Sequence, residues 1–314
     1  MDYREKALTV AERVNRYILG KEDVVRETLA AFLAGGNILL EDIPGVGKTT
    51  MALLFAETIG LEWKRVQFTP DVMPSDLTGF SIYRKDREEF EYRKGAIFCN
   101  LLLADEINRT TPKTQSALLE AMQEQQVTVE GVTRVLTPPF LVIATQNPLG
   151  AAGTQPLPPA QMDRFMISMS MGYPDFENEV LMAKAGGWNN LTMQVEPVTD
   201  RLSFLEMQKA ADDVFIRDEV YRYIVDLVTA SRNHAHVEQG VSPRGTIALV
   251  KMSKASAWLA GNSYVSPMDV AGQFLYVAGH RILLNVAARM EGVTKEQVIQ
   301  DILDRVKKPE LGKK

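Results

Sequence analysis

The chain has 314 residues, 46% of them hydrophobic and 24% charged, which is the balance of a globular protein that folds in water. No apolar run approaches the roughly 18 residues that a membrane span needs. The charged N-terminus, residues 1–6, lacks the apolar segment of a signal peptide, so we expect a cytoplasmic protein. The net charge of −5 argues against a dedicated nucleic-acid binder, although a local basic pore in an assembled ring is compatible with it.

Cysteine and histidine are too scarce to build a disulfide framework or a zinc site. The single Cys99 has no partner for an intramolecular disulfide and lies in an apolar run, so we predict a small core residue. His234, His236 and His280 have no cysteine at metal-ligand spacing, and a solvated loop is expected around the first two.

The predicted elements begin with two helices. Leu8, Ala11, Val14 and Ile18 recur at helical spacing, which predicts a helix over residues 4–19 that ends before Gly20. A second helix is predicted over residues 22–33.

Strands and helices then alternate. We predict strands over 37–41, 64–68, 100–105, 140–145 and 165–171, and helices chiefly over 49–59 and 113–124. Such alternation indicates an α/β fold with a parallel five-stranded sheet between helices. Two β-hairpin inserts are predicted, with strands over 80–84 and 90–93 and over 127–130 and 132–136.

The character of the chain changes near residue 174. A linker that contains Gly186, Gly187 and Pro197 leads into a nearly all-helical region over residues 202–306. We therefore predict two domains, an αβα core over residues 1–186 and an α-helical domain over residues 187–314.

Residues 44–50, between the first strand and its helix, have the composition of a phosphate-binding loop. Glycines let backbone N–H groups close around an anion, Lys48 can reach the β- and γ-phosphates of a nucleotide, and the Thr49 hydroxyl can ligate Mg²⁺. The full pattern has a glycine where this chain has Asp42, and an ordinary strand-to-helix turn is the alternative. The candidate binding residues are Pro44, Gly45, Val46, Gly47, Lys48, Thr49 and Thr50.

An acidic pair ends the next apolar strand, residues 100–105. Asp105 can hold Mg²⁺ directly or through water, and Glu106 can polarise an attacking water. The alternative is two acids at an exposed strand end. Because ligands bind at the carboxyl ends of parallel strands, we expect the acids to lie beside the glycine loop.

Three further polar residues are candidates for the same chemistry. Asn147 follows a strand and could orient the water, or could merely form a turn before Pro148. Arg164 lies next to another strand, and Arg244 lies at a predicted helix start. A structural ion pair and a solvated helix end are the respective alternatives.

The order of these motifs resembles that of AAA+ ATPases, and more narrowly of the MoxR family. It is carried by GKTT, LLLADEINR, ATQNP, LPPAQMDRF and VSPRG, and by the stretches QFTPDVMPSDLTGF and ADEINRTTPKTQSALLEAMQE. The resemblance extends from about residue 15 to residue 306.

The resemblance implies roles by position. Lys48 and Thr49 match Walker A, and Asp105 and Glu106 match Walker B. Asn147 matches sensor 1, Arg164 the arginine finger that acts on a neighbouring subunit's ATP, and Arg244 sensor 2 on the helical lid. Gln67 is implied as a restraint on Glu106, and Arg109 is expected near the subunit interface.

The resemblance also implies a function. It predicts a Mg²⁺-dependent ATPase, acting as a homo-oligomer and most often a hexameric ring, that remodels or matures protein complexes like a chaperone. Its expected partners are protein clients and a protein with a von Willebrand factor A domain. The alternative is a nucleic-acid-dependent ring motor, but the acidic charge and the lack of an appended helix-turn-helix stand against it. An enhancer-binding activator, a magnesium chelatase subunit and a small-molecule kinase fit the motifs less well.

Overall fold

The computed structural model describes residues 2–42, 45–146, 156–185 and 195–310. The strands are β1 (Ile38–Glu41), β2 (Trp63–Gln67), β3 (Phe80–Arg84), β4 (Glu89–Arg93), β5 (Leu101–Asp105), β6 (Gln126–Val129), β7 (Val132–Val135), β8 (Leu141–Gln146), β9 (Ile167–Met169), β10 (Val237–Gln239) and β11 (Leu283–Leu284). The helices are α1 (Tyr3–Asn15), α2 (Glu22–Leu33), α3 (Lys48–Ile59), α4 (Pro74–Thr78), α5 (Pro112–Glu124), α6 (Pro159–Met162), α7 (Phe176–Ala185), α8 (Arg201–Asp212), α9 (Asp218–Arg232), α10 (Pro243–Ala260), α11 (Pro267–Ala278), α12 (Val286–Met290) and α13 (Lys295–Arg305).

A five-stranded parallel sheet organises the first half of the chain, in the order β2-β5-β8-β1-β9. Its central strands β5 and β8 are apolar and buried on both faces, as strands in a sheet covered by helices must be. Neighbouring strands β1, β8 and β5 all run in one direction, so their carboxyl ends meet at one edge. The predicted α/β core is confirmed.

The two predicted hairpins are present as β3–β4 and β6–β7, and they touch each other. The Ser81 hydroxyl donates a hydrogen bond to the Glu130 carboxylate. The Arg134 guanidinium lies 3.6 Å from the centroid of the Tyr92 ring, the geometry of a cation–π contact. The inserts therefore form one joined surface.

Two segments differ from the sequence expectation. Helix α1 ends at Asn15, not near residue 19, although Ile18 stays fully buried in the turn that follows. The linker expected from residue 174 instead carries helix α7, which starts where the Asp175 carboxylate accepts a hydrogen bond of 2.9 Å from the Asn178 amide. The expectation of a linker was wrong here because one capping side chain indicates a helix only weakly, whereas the nearby Gly186 and Gly187 indicate a linker.

The second half of the chain is helical, as predicted, apart from the short antiparallel pair β10–β11. Strands of two or three residues are too short to leave an alternating pattern, so these two strands were not predicted. None of the helices in the described ranges is long and apolar enough to cross a bilayer.

Apolar side chains fill both faces of the sheet. One cluster joins helices α1, α2 and α3 to the helices of the second half, and includes an edge-to-face contact between Phe32 and Phe55 with centroids 5.4 Å apart. The other cluster lies under α4, α5 and the hairpins. The helical half is thus packed against the sheet and the N-terminal helices, which fixes where its polar side chains lie.

Candidate active site

The loop before α3 has the backbone of an anion-binding nest. Gly45 and Gly47 have φ values of 89° and 96°, a left-handed region that favours glycine, and Gly47 is the N-cap of α3. The N-terminus of α3 therefore directs N–H groups and the positive end of its dipole at the loop. Val46 and Thr50 are buried, which holds the loop against the core. Pro44 lies outside the described residues.

Lys48 is the first residue of this helix, and its side chain lies beside the phosphate loop. Its side chain is buried, and its ammonium donates a hydrogen bond of 3.1 Å to the backbone oxygen of Asp42. Burial lowers the pKa of Lys48, and the nearby carboxylates of Asp42, Asp105 and Glu106 oppose that change. The buried Lys48 ammonium can therefore bind an incoming phosphate.

Asp42, which replaces a glycine of the usual pattern, has a structural role. Its buried carboxylate accepts hydrogen bonds from the Ser170 hydroxyl at 2.7 Å, from the Gly172 amide at 3.1 Å and from the Met171 amide. These contacts tie the start of the phosphate loop to the end of β9. The departure from the pattern therefore stabilises the loop.

Part of the predicted site meets in one cavity of about 230 Å³ at the carboxyl edge of the sheet: three residues of the glycine loop and the acidic pair. Its described lining consists of Gly45, Lys48, Thr49, Arg65, Gln67, Asp105 and Glu106. The structure thus brings together the glycine loop and the acidic pair, which are separated by more than fifty residues in the chain.

Asp105 is oriented by residues on both neighbouring strands. The Thr145 hydroxyl, on β8, donates to Asp105 Oδ1 at 2.6 Å and accepts from the backbone N–H of Glu106 at 2.8 Å. Arg65, on β2, forms an ion pair with Asp105 Oδ2 at 2.7 Å. Neither Thr145 nor Arg65 was predicted, because their roles depend on the lateral order of strands rather than on a local motif.

Glu106 is restrained in the same cavity. Its Oε2 accepts hydrogen bonds of 2.7 Å from Gln67 Nε2 and from Arg109 Nη1. Its φ of 57° is left-handed, a conformation that costs a non-glycine residue on the order of 1–3 kcal/mol. Gln67 therefore contacts Glu106, as the resemblance implied. Arg109 also contacts Glu106, whereas the resemblance had implied only that Arg109 lies near the subunit interface.

We expect Gln67→Ala to free one side of the Glu106 carboxylate. If the chain hydrolyses ATP as the resemblance implies, basal hydrolysis should rise by several-fold, because Glu106 has to leave Gln67 before it can accept a proton, while ATP affinity stays near wild type. Steady-state hydrolysis and nucleotide titration measure the two effects separately. Gln208→Ala, on the distant helix α8, is the matched control, and an unchanged rate in Gln67→Ala would contradict the restraint.

A second cleft, of about 200 Å³, holds the two candidate arginines. Arg164 and Arg244 both line it, together with Asp163 and Arg281. The described lining of the first cavity includes neither arginine. Asn147 lies outside the described residues, so the structure does not place it.

The donor set of the first cavity fits a magnesium nucleotide. Mg²⁺ is bound in such sites by one or two protein oxygens together with substrate phosphates and water. Asp105 and Thr49 would supply the protein oxygens here, and Lys48 would supply the cation for phosphate. Among the described residues, no cluster of three or more His, Cys, Asp or Glu forms a metal cage of its own.

Comparisons with known proteins agree with this geometry. Residues 37–167 match the ATPase family associated with various cellular activities (AAA), and residues 229–302 match the AAA lid domain. The chain is 47% identical over 298 residues to YeaC of Bacillus subtilis, covering 95% of this chain and 93% of that protein. It is 38% identical over 308 residues to chaperone MoxR1 of Mycobacterium tuberculosis, covering 95% of this chain and 81% of that protein.

A solved structure has the same fold over nearly the whole chain. The crystal structure of a protein from Cytophaga hutchinsonii, assigned as an ATPase, matches with a TM-score of 0.90 and 38% identity, covering 98% of this chain and 96% of that chain. With the phosphate loop, the acidic pair and the helical second half in one arrangement, this chain belongs to the MoxR family of AAA+ ATPases.

Proposed function

We propose that the chain hydrolyses ATP with Mg²⁺ at a site shared between subunits, and that it uses this reaction to remodel or mature protein complexes. The observation that carries the proposal is the single cavity in which Lys48, Asp105 and Glu106 meet at the end of the sheet. Bound Mg²⁺ would supply charge neutralisation on the phosphates. The protein residues would bind, orient and accept a proton.

In this proposal each residue has one task. The N–H groups of 45–50 and the Lys48 ammonium hold the phosphates, and Thr49 and Asp105 offer oxygens to the metal. Glu106, once released from Gln67 and Arg109, accepts a proton from the attacking water. Arg65 already pairs with the Asp105 carboxylate at 2.7 Å, so it would compete with a bound metal for that carboxylate.

The separation of the two cavities supports the shared site. Arg164 and Arg244 line a cleft of their own, so both arginines are available to the nucleotide of an adjacent subunit. Such a head-to-tail contact closes into a ring, and a hexamer is the proposed assembly. Asn147 remains a proposed sensor of the γ-phosphate. The division into a nucleotide-binding core over 1–186 and a lid over 187–314 also remains a proposal.

Wild-type hydrolysis at increasing protein concentration tests the proposal. We expect the rate per subunit to rise with concentration as subunits assemble, to need Mg²⁺, and to vanish in Lys48→Ala, which lacks the phosphate-binding ammonium. Lys48→Ala purified in parallel also measures contaminating ATPase. A rate per subunit that is independent of assembly would contradict a shared site.

A pull-down with Glu106→Gln, which should hold ATP without turnover, tests the client. The expected partners are protein clients and a protein with a von Willebrand factor A domain, a proposal that rests on the family resemblance. More of each partner should be recovered in the presence of ATP than in its absence. If repeated pull-downs recover no such protein, this part of the proposal fails.

Stimulation of hydrolysis by single-stranded or duplex DNA would instead favour a nucleic-acid motor, which the net charge of −5 disfavours.

A further inference from the structure

A partly buried polar cluster links the segments that carry the two arginines of the second cleft. Asp163, directly before Arg164, accepts hydrogen bonds from the Ser242 hydroxyl at 2.8 and 2.9 Å and from Arg281 Nε at 2.8 Å. Ser242 and Arg281 both belong to the helical second half, whereas Asp163 ends helix α6 beside the sheet. One carboxylate thus joins the two halves of the chain.

Arg281 holds the backbone on both sides of Arg164. Its guanidinium donates to the carbonyl oxygens of Asp163 at 3.1 Å, of Phe165 at 2.6 Å and of Met166 at 3.1 Å. Its side chain is only 2% exposed, so these acceptors and the Asp163 carboxylate replace its water. The backbone that carries Arg164 therefore cannot shift independently of Arg281.

Ser242 ties the start of the helix that carries Arg244 to the same carboxylate. It is the N-cap of α10, and its hydroxyl accepts a hydrogen bond of 3.1 Å from the Gly245 amide while it donates to Asp163. Arg244 lies in the first turn of that helix. Gly245 leaves room for the cluster, since a Cβ there would lie 2.8 Å from Arg281 Cδ and 2.5 Å from Val241 Cγ1.

We propose that Asp163 is a positioning residue that fixes Arg164 and Arg244 relative to each other, so that both reach a neighbouring subunit's nucleotide as one rigid unit. The inference rests on the proposed shared site. A movement of the helical half would then be transmitted to Arg164 through Ser242, Asp163 and Arg281. A subunit's helical half would thereby control the hydrolysis of ATP on its neighbour.

Asp163→Ala tests this role. Because a misplacement of about 1 Å can cost roughly 10²-fold in rate, we expect kcat to fall by about that factor, while KM and nucleotide affinity stay near wild type. Asp163→Asn keeps the size and one hydrogen-bond acceptor, so it should retain more activity. Asp301→Ala, which removes an ion-paired carboxylate of α13 far from the cleft, is the matched control and should leave kcat unchanged.

Mixed assemblies separate positioning from a merely structural role. Glu106→Gln subunits have intact arginines and an inactive site, so they should restore hydrolysis at the sites of Asp163→Ala subunits. Recovery in the parallel mixture of Arg164→Ala with Glu106→Gln establishes the shared site independently. If only that second mixture recovers, or if Asp163→Ala and Asp163→Asn both keep wild-type kcat, the positioning role is wrong. If neither mixture recovers, the shared site is wrong and the positioning role falls with it.

Discussion

Arg164→Ala is expected to lower ATP hydrolysis by roughly 10³- to 10⁵-fold without a comparable loss of ATP binding. In the proposed shared site, Arg164 stabilises transition-state charge on a neighbouring subunit's nucleotide, and it lines the second cleft rather than the cavity of the phosphate loop. Single-turnover hydrolysis gives the rate, and titration with a nonhydrolysable nucleotide gives the affinity.

The control for Arg164→Ala is Arg222→Ala, which removes an equal charge from an exposed position on α9. Its rate should match wild type. Equal rates for Arg164→Ala and Arg222→Ala at a concentration where the protein is assembled would show that Arg164 has only the alternative role of a structural residue.

Glu106→Gln is expected to bind ATP and to hydrolyse it roughly 10²- to 10⁴-fold more slowly, because the carboxamide has lost the group that accepts the proton of water. The substitution keeps the size of the side chain and an oxygen that can accept from Gln67 and Arg109. The bound ATP should therefore persist and favour the assembled state. Light scattering with and without ATP measures the assembly, alongside the hydrolysis rate.

Glu120→Gln, at an exposed position of α5, is the matched control for Glu106→Gln and should hydrolyse ATP normally. Rapid hydrolysis by Glu106→Gln would remove it as the base. Loss of ATP binding would mean that Glu106 acts chiefly in holding the site together.

The fold was readable from the sequence where its signals are local. The apolar run of β5 followed by Asp105 predicts a buried strand with an acid at its end, and the glycines beside Lys48 predict the turn into α3. Strand order could only be inferred in outline, yet it decides which side chains meet. Arg65 and Thr145 were missed because β2 and β8 flank β5 on opposite sides, a relation that no local pattern encodes.

The second cleft shows the same limit more clearly. Asp163 and Arg281 are 118 positions apart in the chain, and their contact depends on the packing of the helical half against the sheet. Arg164 and Arg244 were both predicted, but their common cleft was not. Asp42 had looked like a departure from the phosphate-loop pattern, and only its contacts with the end of β9 explain it.

Mixing two inactive variants tests whether one active site is built from two subunits. Arg164→Ala subunits keep the acidic pair, and Glu106→Gln subunits keep the arginines, so each lacks what the other has. We predict that ATP hydrolysis, nearly absent in either variant alone, returns on mixing and is greatest at an intermediate ratio. A mixture that stays as inactive as its components, although light scattering shows that the subunits have assembled together, would mean that no site is shared between subunits.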